Sequence, residues 1–294
     1  MIKAKCNKKE IALCLYSGGL DSRLIIKLLQ DKGVEVTAVH YKLPFISDKE
    51  INDNFLCDQN VQLVAIDCTR GDYLQDYVNI MLSPKYGTGA GANPCIDCKI
   101  YMFKRAKQYA QDNGFDYLAT GEVPGQRPMS QLKRAQEIIQ RDVDFPIVRP
   151  LADMGIEGRS RQKQMELAKN YKISYPMPGG GCLLCEKGLK KRFDKYLELS
   201  LIQEDTLQLM KVGRHFLYEE KGVWLIVARN VRECEILETY TNVIKSAPGH
   251  PAVFFKKLKN NDLTELINIA NELQIAYKTG QDKELRKKFS NVKI

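Results

Sequence analysis

The residues best suited to bind an anion form the string Ser17-Gly18-Gly19-Leu20-Asp21-Ser22, between a predicted strand and a predicted helix. Paired glycines let the backbone turn sharply and approach an anion closely, and unpaired N–H groups at a helix start point toward it. Ser17 and Ser22 add hydroxyl donors. Asp21 would repel bare phosphate, so we assign it to a magnesium ion or to orienting the loop. The alternative is a plain glycine turn with an aspartate cap.

Four of the nine cysteines fall into two Cys-x-x-Cys pairs, Cys95/Cys98 and Cys182/Cys185. The first pair lies where a glycine-rich loop meets a predicted helix. There the pKa of a thiol is expected to fall, and a thiolate both binds metals and carries sulfur. The second pair follows three glycines at 179–181, which let the chain approach a partner closely.

The cysteines leave four interpretations open. Four thiolates could hold a structural zinc. Two cysteines could carry out persulfide and disulfide chemistry without a metal. Three cysteines could hold an iron–sulfur cluster and leave one iron open. Finally, the thiols could simply be buried apolar groups.

The elements that must position these residues are strands that alternate with helices, which predicts a parallel α/β sheet with helices on both faces. Predicted strands lie at 11–16, 34–39, 62–66, 115–119 and 146–148, and predicted helices at 23–29, 48–59, 73–81, 96–112 and 160–169. After about residue 200, short strands at 216–218, 224–228 and 253–255, a helix at 263–273 and a polar, basic tail at 278–294 predict a smaller α+β domain. We therefore predict two domains, 1–198 and 199–294.

Composition narrows the class of protein. The chain has 294 residues, 44% hydrophobic and 28% charged, which argues against a disordered or fibrous chain. No apolar run approaches the ~20 residues of a membrane span, the charged start lacks a signal region, and the odd, scattered cysteines indicate a reducing compartment. We therefore expect a cytoplasmic protein without a membrane partner. The net charge of +9 favours a polyanion such as nucleic acid.

Three segments carry a resemblance to a known family. The Ser-Gly-Gly-x-Asp-Ser string resembles the signature of the PP-loop ATP pyrophosphatases, and no Gly-Lys-Ser/Thr follows it as in a Walker loop. Residues 120–131 are similar to the Thr-Gly-Glu…Gly-Gln…Ser-Gln stretch of the 4-thiouridine synthetase group, which Arg149-Pro150-Leu151 continues. Gly180-Gly181-Cys182-Leu183-Leu184 is similar to a string of a thiouridylase-like group, in which Thr commonly stands where this chain has Cys185.

The resemblance implies an adenine nucleotide alpha-hydrolase-like (PP-loop) fold and an ATP-dependent, AMP-forming tRNA sulfurtransferase. ATP would adenylate a nucleobase carbonyl oxygen, expected to be that of uridine, and sulfur from sulfide or a persulfide carrier would replace that oxygen. The resemblance favours Cys95, Cys98 and Cys182 as catalytic ligands of a [4Fe–4S] cluster, with zinc as the alternative. It places the adenine beside Tyr41, at the end of the second strand.

Further expectations concern side chains near the site. Because loops that leave parallel strands meet at one edge of a sheet, Gly121 should lie beside the 17–22 loop. Lys99, Arg127 and Arg149 are weaker candidates for phosphate contacts, and each is more often a solvated surface charge. We expect His40 to be structural, His250 to be a turn residue, and His215 to pack in the second domain or contact RNA.

Two other functions stay open. One is a PP-loop ligase or thiolase acting on a small metabolite, and the other is a zinc-stabilised RNA-binding protein without catalysis. The oligomeric state is also open, with a homodimer as one option.

Overall fold

The computed structural model describes residues 9–46, 54–126, 129–177, 181–260, 262–278 and 283–294. The chain divides into two compact units, with the division between Gly188 and Leu189. The sequence analysis places this boundary after residue 198. In the structure, the helix that starts at Lys190 belongs to the second unit and not to the first.

The first unit is built on a five-stranded parallel sheet with the strand order β3-β2-β1-β4-β5. Its strands are β1 Ile11–Leu15, β2 Glu35–Lys42, β3 Gln62–Asp67, β4 Tyr117–Thr120 and β5 Ile147–Val148. The predicted α/β class is confirmed. The chain starts at β1, extends the sheet in one direction and then returns to the other side of β1. The carboxyl edge between β1 and β4 is therefore the switch point at which such sheets bind ligands.

Helices cover both faces of this sheet. They are α1 Leu20–Asp31, α2 Phe55–Asp58, α3 Gly71–Leu82, α4 Cys95–Asp112, α5 Lys133–Val143, α6 Pro150–Asp153 and α7 Gln162–Asn170. Ala12 and Cys14 of β1 pack in one apolar cluster with α1, while Leu13 faces the opposite side. The helix predicted over 48–59 is seen at α2, and residues 47–53 lie outside the described residues. Helices α5 and α6 were not predicted.

The second unit contains a four-stranded antiparallel sheet with the order β6-β7-β9-β8. Its strands are β6 Arg214–Tyr218, β7 Val223–Val227, β8 Val243–Ile244 and β9 Val253–Lys257, and its helices are α8 Lys190–Glu198, α9 Val231–Leu237, α10 Leu263–Ala276 and α11 Lys283–Lys287. Helix α10 packs on one face of the sheet. The prediction of a polar tail after residue 278 is wrong, because the Phe289 ring is buried against Phe216. Within the described ranges of the chain, no helix is long and apolar enough to cross a membrane.

Candidate active site

The 17–22 loop has the backbone of an anion-binding turn. Gly18 has a φ of 72°, which favours glycine, and Gly19 is the extended N-cap of α1 without a side-chain hydrogen bond to the first turn. The first N–H groups of α1 therefore have no capping side chain and can receive an anion. Ser22 Oγ donates to Gly19 O over 2.9 Å, and Ser17 Oγ lies 3.4 Å from Ser22 Oγ.

Arg23, which the sequence analysis missed, holds this loop in place through hydrogen bonds to backbone carbonyls. Its Nε donates to Gly18 O over 2.9 Å, and its Nη1 donates to Ser174 O over 2.5 Å. The residue is only 5% exposed and its guanidinium lies over the Phe55 ring. Its position directly before the apolar residues 24–26 of α1 is the signal that could have identified it.

Asp21 lies in the first turn of α1, against the loop that leaves β4. A Cβ atom at Gly121 would lie 2.7 Å from both the carbonyl carbon and the carbonyl oxygen of Asp21, so the two loops touch as expected for neighbouring strands. Burial raises the pKa of Asp21, and Arg161 opposes that rise. Asp21 Oδ1 is buried and has no hydrogen-bond donor among the described residues. A free carboxylate oxygen in this position suits a hard cation such as Mg²⁺.

Directly after Gly121, Glu122 forms a buried group of charges with Lys99 and Arg149, which we call the charge triad. Lys99 Nζ lies 3.1 Å from Glu122 Oε1, and Arg149 Nε lies 3.5 Å from Glu122 Oε2. The side chains of Glu122, Lys99 and Arg149 are 3%, 23% and 14% exposed. The expectation that Lys99 and Arg149 are solvated surface charges is therefore wrong, because a buried carboxylate draws both inward. Arg127 lies outside the described residues.

Tyr41 lies near the carboxyl end of β2, but its side chain points into the protein. The residue is 7% exposed, and its hydroxyl has no hydrogen-bond partner among the described residues. Burial raises the pKa of Tyr41. Cys68 adds to that rise, and Arg105 opposes it. An adenine at this strand end would therefore meet the backbone of Tyr41, and that contact stays a prediction. His40 beside it is structural, since its Nδ1–H donates to Tyr16 O over 3.0 Å.

The two cysteine pairs, 84 residues apart between Cys98 and Cys182 (182 − 98), come together at the carboxyl edge of the sheet. Helix α4 runs back toward the start of β4, so its first turn, with Cys95 and Cys98, lies at that edge. Leu183 N donates to Phe45 O, in the loop after β2, over 2.9 Å. The Cys185 thiol lies close enough to the thiols of Cys95 and Cys182 for both to influence its pKa. We call Cys95, Cys98, Cys182 and Cys185 the thiol cluster.

Burial raises the pKa of three of these thiols. It raises the pKa of Cys98 to about 11 and that of Cys182 to about 12, and it also raises the pKa of Cys185. The prediction of a lowered pKa at the start of α4 is therefore wrong for Cys98, because loss of solvent outweighs the helix dipole. No three His, Cys, Asp or Glu side chains in the part of the chain that the structure describes are arranged as a metal site.

Polar neighbours of the thiol cluster were also missed by the sequence analysis. Asn93 Nδ2 donates to Cys95 Sγ over 3.0 Å, and the buried Tyr77 hydroxyl donates to Cys98 Sγ over 3.5 Å. Both bonds orient a sulfur atom and would stabilise a thiolate if one formed. Asn93, two residues before the first cysteine, was recognisable from its position in the sequence, whereas Tyr77 is contributed by α3.

The thiol cluster and the 17–22 loop are joined by a short series of contacts. Cys98 precedes Lys99, Lys99 pairs with Glu122, and Glu122 follows Gly121, which packs on Asp21. The sulfur-bearing and anion-binding elements therefore share the edge of one sheet.

Comparison with known proteins gives relatives of one kind. The chain is 30% identical over 186 residues to the tRNA-specific 2-thiouridylase MnmA 1 of Syntrophus aciditrophicus, over 55% of this chain and 48% of that protein. It is 28% identical over 167 residues to a probable tRNA sulfurtransferase of Methanocaldococcus jannaschii, over 55% of this chain and 41% of that protein. The chain thus spans about half the length of the curated relatives it matches.

A crystal structure of a 4-thiouridine synthetase–RNA complex with bound ATP aligns with a TM-score of 0.42 and 20% identity, over 67% of this chain and 53% of that chain. The family model described as "Thiamine biosynthesis protein (ThiI)" matches residues 7–190, well over half of the 294 residues. That region holds the 17–22 loop, the charge triad and all four cysteines of the thiol cluster. The predicted relationship to the tRNA-thiolating PP-loop enzymes is confirmed, and the chain belongs to the ThiI family.

Proposed function

We propose that this chain is an ATP-dependent, AMP-forming sulfurtransferase that acts on tRNA, with a uridine carbonyl as the target. The observation that carries the proposal is the placement of an anion-binding loop and four clustered thiols at one edge of a single sheet. Membership of the ThiI family supports it, as do the names of the thiouridylase and sulfurtransferase relatives. A homodimer and a cytoplasmic location stay predictions.

Activation of the base depends on the 17–22 loop. A carbonyl oxygen of a base is a very poor leaving group. When that oxygen attacks the α-phosphorus of ATP, a P–O bond forms, the bond between the α- and β-phosphates breaks and pyrophosphate leaves. The N–H groups at the start of α1 bind the phosphates and offset the charge that develops there. Asp21 would hold Mg²⁺, which neutralises phosphate charge when bound.

Sulfur transfer depends on the thiol cluster. Sulfide attacks the carbon that bears the adenylated oxygen, a C–S bond forms, the C–O bond breaks and AMP leaves. We propose that Cys95, Cys98 and Cys182 would hold a [4Fe–4S] cluster, which when bound would supply a site for sulfide. The chemistry of the donor set suits a soft metal, because thiols from two segments lie close together and Asn93 and Tyr77 orient two of them, although the described side chains are not arranged as a metal site.

The proposal leaves a role for Cys185 to be decided by experiment. Its thiol lies close to those of Cys95 and Cys182, so it could complete a four-cysteine zinc site or join a disulfide or persulfide pair. Binding of a metal would displace thiol protons, and burial opposes that loss at Cys98, Cys182 and Cys185 because it raises the pKa of each.

The main experiment combines ATP turnover with analysis of the tRNA. Protein purified without oxygen is incubated with ATP, sulfide and unmodified tRNA, and pyrophosphate and thionucleosides are measured. Asp21→Asn should lose both products, whereas Cys95→Ser should bind ATP normally and form no thionucleoside. Matched controls are Asp72→Asn, in the first turn of α3, and Cys57→Ser, an exposed cysteine. Full thiolation by Cys95→Ser would contradict the role of the thiol cluster.

The metal is tested on the same preparation. A cluster predicts broad visible absorbance and bound iron, both lost in Cys98→Ser and Cys182→Ser but kept in Cys57→Ser. A colourless preparation with stoichiometric zinc would exclude the iron–sulfur cluster and leave the sulfurtransferase proposal to the thionucleoside assay.

A further inference from the structure

The charge triad carries more positive charge than its carboxylate can neutralise. One carboxylate, Glu122, faces two cations, Lys99 and Arg149, so the group has a net charge of +1 if each is ionised. The Arg149 and Glu122 side chains are 14% and 3% exposed, so little solvent screens the charge of Arg149. A buried excess charge is unfavourable unless a counterion reaches it.

Arg149 is the cation with donors to spare. Its Nε lies 3.5 Å from Glu122 Oε2, within ion-pair distance but without a hydrogen bond. Both Nε and Nη2 are buried and have no hydrogen-bond acceptor among the described residues. Lys99, in contrast, lies 3.1 Å from Glu122 Oε1, and its ammonium also faces the Phe103 ring. Buried guanidinium donors normally have acceptors, and Glu122, whose two oxygens are also buried without a hydrogen bond, does not supply one at this distance, so Arg149 keeps donors for a second anion.

The position of the triad indicates which anion would fit. Glu122 directly follows Gly121, whose backbone packs on Asp21 at the β1/β4 switch point. Asp21 Oδ1 is a buried acceptor without a donor, and Arg149 offers buried donors without an acceptor. A magnesium-bound phosphate complements both, since its cation suits the carboxylate and its oxygens suit the planar guanidinium.

We propose that Arg149 binds a phosphate of ATP, and that Glu122 is a positioning residue that holds Arg149 and Lys99 for this purpose. The inference rests on the proposed function and adds a second phosphate-binding element to the 17–22 loop. Arg149 is thus a substrate-binding residue that lies outside the Ser-Gly-Gly-x-Asp-Ser string.

The test is calorimetric titration of the full chain with Mg·ATP and, separately, with adenosine. Arg149→Met should weaken ATP binding by at least about tenfold, because a charge-assisted hydrogen bond is lost, and should leave adenosine affinity within about twofold. Arg149→Gln, with a polar side chain, repeats the measurement if the Met variant does not fold. Arg141→Met, at an exposed arginine of α5, is the matched control and should bind ATP like the unmodified chain.

Three results would overturn the inference. ATP affinity unchanged in both Arg149 variants would mean that no phosphate contacts this side chain. An equal loss for ATP and adenosine would mean that Arg149 shapes the pocket and does not bind phosphate. If the unmodified chain binds no ATP, the proposed function fails as well, and this outcome is distinguishable because it does not require any variant.

Discussion

His215 should make the second unit sensitive to acid. The imidazole is completely buried, and burial, together with Arg192, lowers its pKa to about 3. Its Nε2–H donates to Val212 O over 2.7 Å, and its Nδ1 accepts from the Tyr196 hydroxyl over 2.7 Å and from Trp224 Nε1 over 3.3 Å. Nδ1 can accept the last two bonds only when it carries no proton, so protonation of the ring is strongly disfavoured in the folded chain.

The magnitude follows from the two pKa values. In the unfolded chain the imidazole titrates near 6.5, and in the folded chain it titrates near 3. Between these two pKa values the unfolded state binds a proton and the folded state does not. The free energy of unfolding therefore decreases as the pH falls from about 6.5 toward 3. The full loss is about 5 kcal/mol, at 1.36 kcal/mol per pKa unit, and about 2 kcal/mol is already lost between pH 7 and pH 5. That is a large share of a typical domain stability of about 5–15 kcal/mol.

The assay is urea unfolding followed by tryptophan fluorescence at several pH values. Trp224 is the single tryptophan of the chain and contacts His215 directly, so it reports on the second unit. His215→Gln should lower the free energy of unfolding at pH 7. Between pH 7 and pH 5, however, the variant should lose about 2 kcal/mol less of that free energy than the unmodified chain. His250→Gln, in an exposed turn, should keep the full dependence. Carboxylates titrate alike in all three proteins, so identical pH slopes in His215→Gln and the unmodified chain would refute the reasoning.

Three substitutions in the first unit test the contacts that build the site. Gly121→Ala should weaken ATP binding about tenfold or more, because the new Cβ atom would lie 2.7 Å from the Asp21 backbone and force it to shift. The control is Gly188→Ala, since Gly188 has open space around it. Gly91→Ala should abolish thionucleoside formation but not ATP binding, because the new methyl group would overlap the Leu184 carbonyl oxygen. Loss of ATP binding as well would contradict a thiol cluster that is separate from the nucleotide site. Tyr77→Phe should slow thiolation about tenfold through loss of the hydrogen bond to Cys98, as measured in single turnovers, and an unchanged rate would exclude that role.

The parts of the site that follow from local sequence were predictable. The Ser-Gly-Gly-x-Asp-Ser string needs only a strand before it and a helix after it, and both elements formed where hydrophobic runs indicated. The same holds for Gly121, because parallel strands place successive loops at one edge. The predicted start of the cysteine helix was displaced by a single residue, from Ile96 to Cys95.

What the sequence could not supply depends on burial and on partners far along the chain. The pKa of Cys98 could not be predicted from its place at a helix start, because its sign depends on how deeply tertiary packing buries the thiol. Lys99 and Arg149 looked like surface charges because nothing local shows that Glu122 is buried between them. Arg23 was missed for the same reason, since one of its acceptors, Ser174, lies 151 residues away.

The thiol cluster, in contrast to the 17–22 loop, exists only in the folded first unit. Its two pairs are held together by the Leu183–Phe45 backbone hydrogen bond and by the close approach of Gly91 to the Leu184 carbonyl, and both contacts join segments distant in sequence. A short Cys-x-x-Cys peptide could not reproduce this arrangement, because neither contact is present in it. The same sheet that places Asp21 against Gly121 also places Phe45 at the carboxyl end of β2. Assembly of the sulfur-bearing centre and of the nucleotide site therefore depends on one folding event, that of the β2-β1-β4 core.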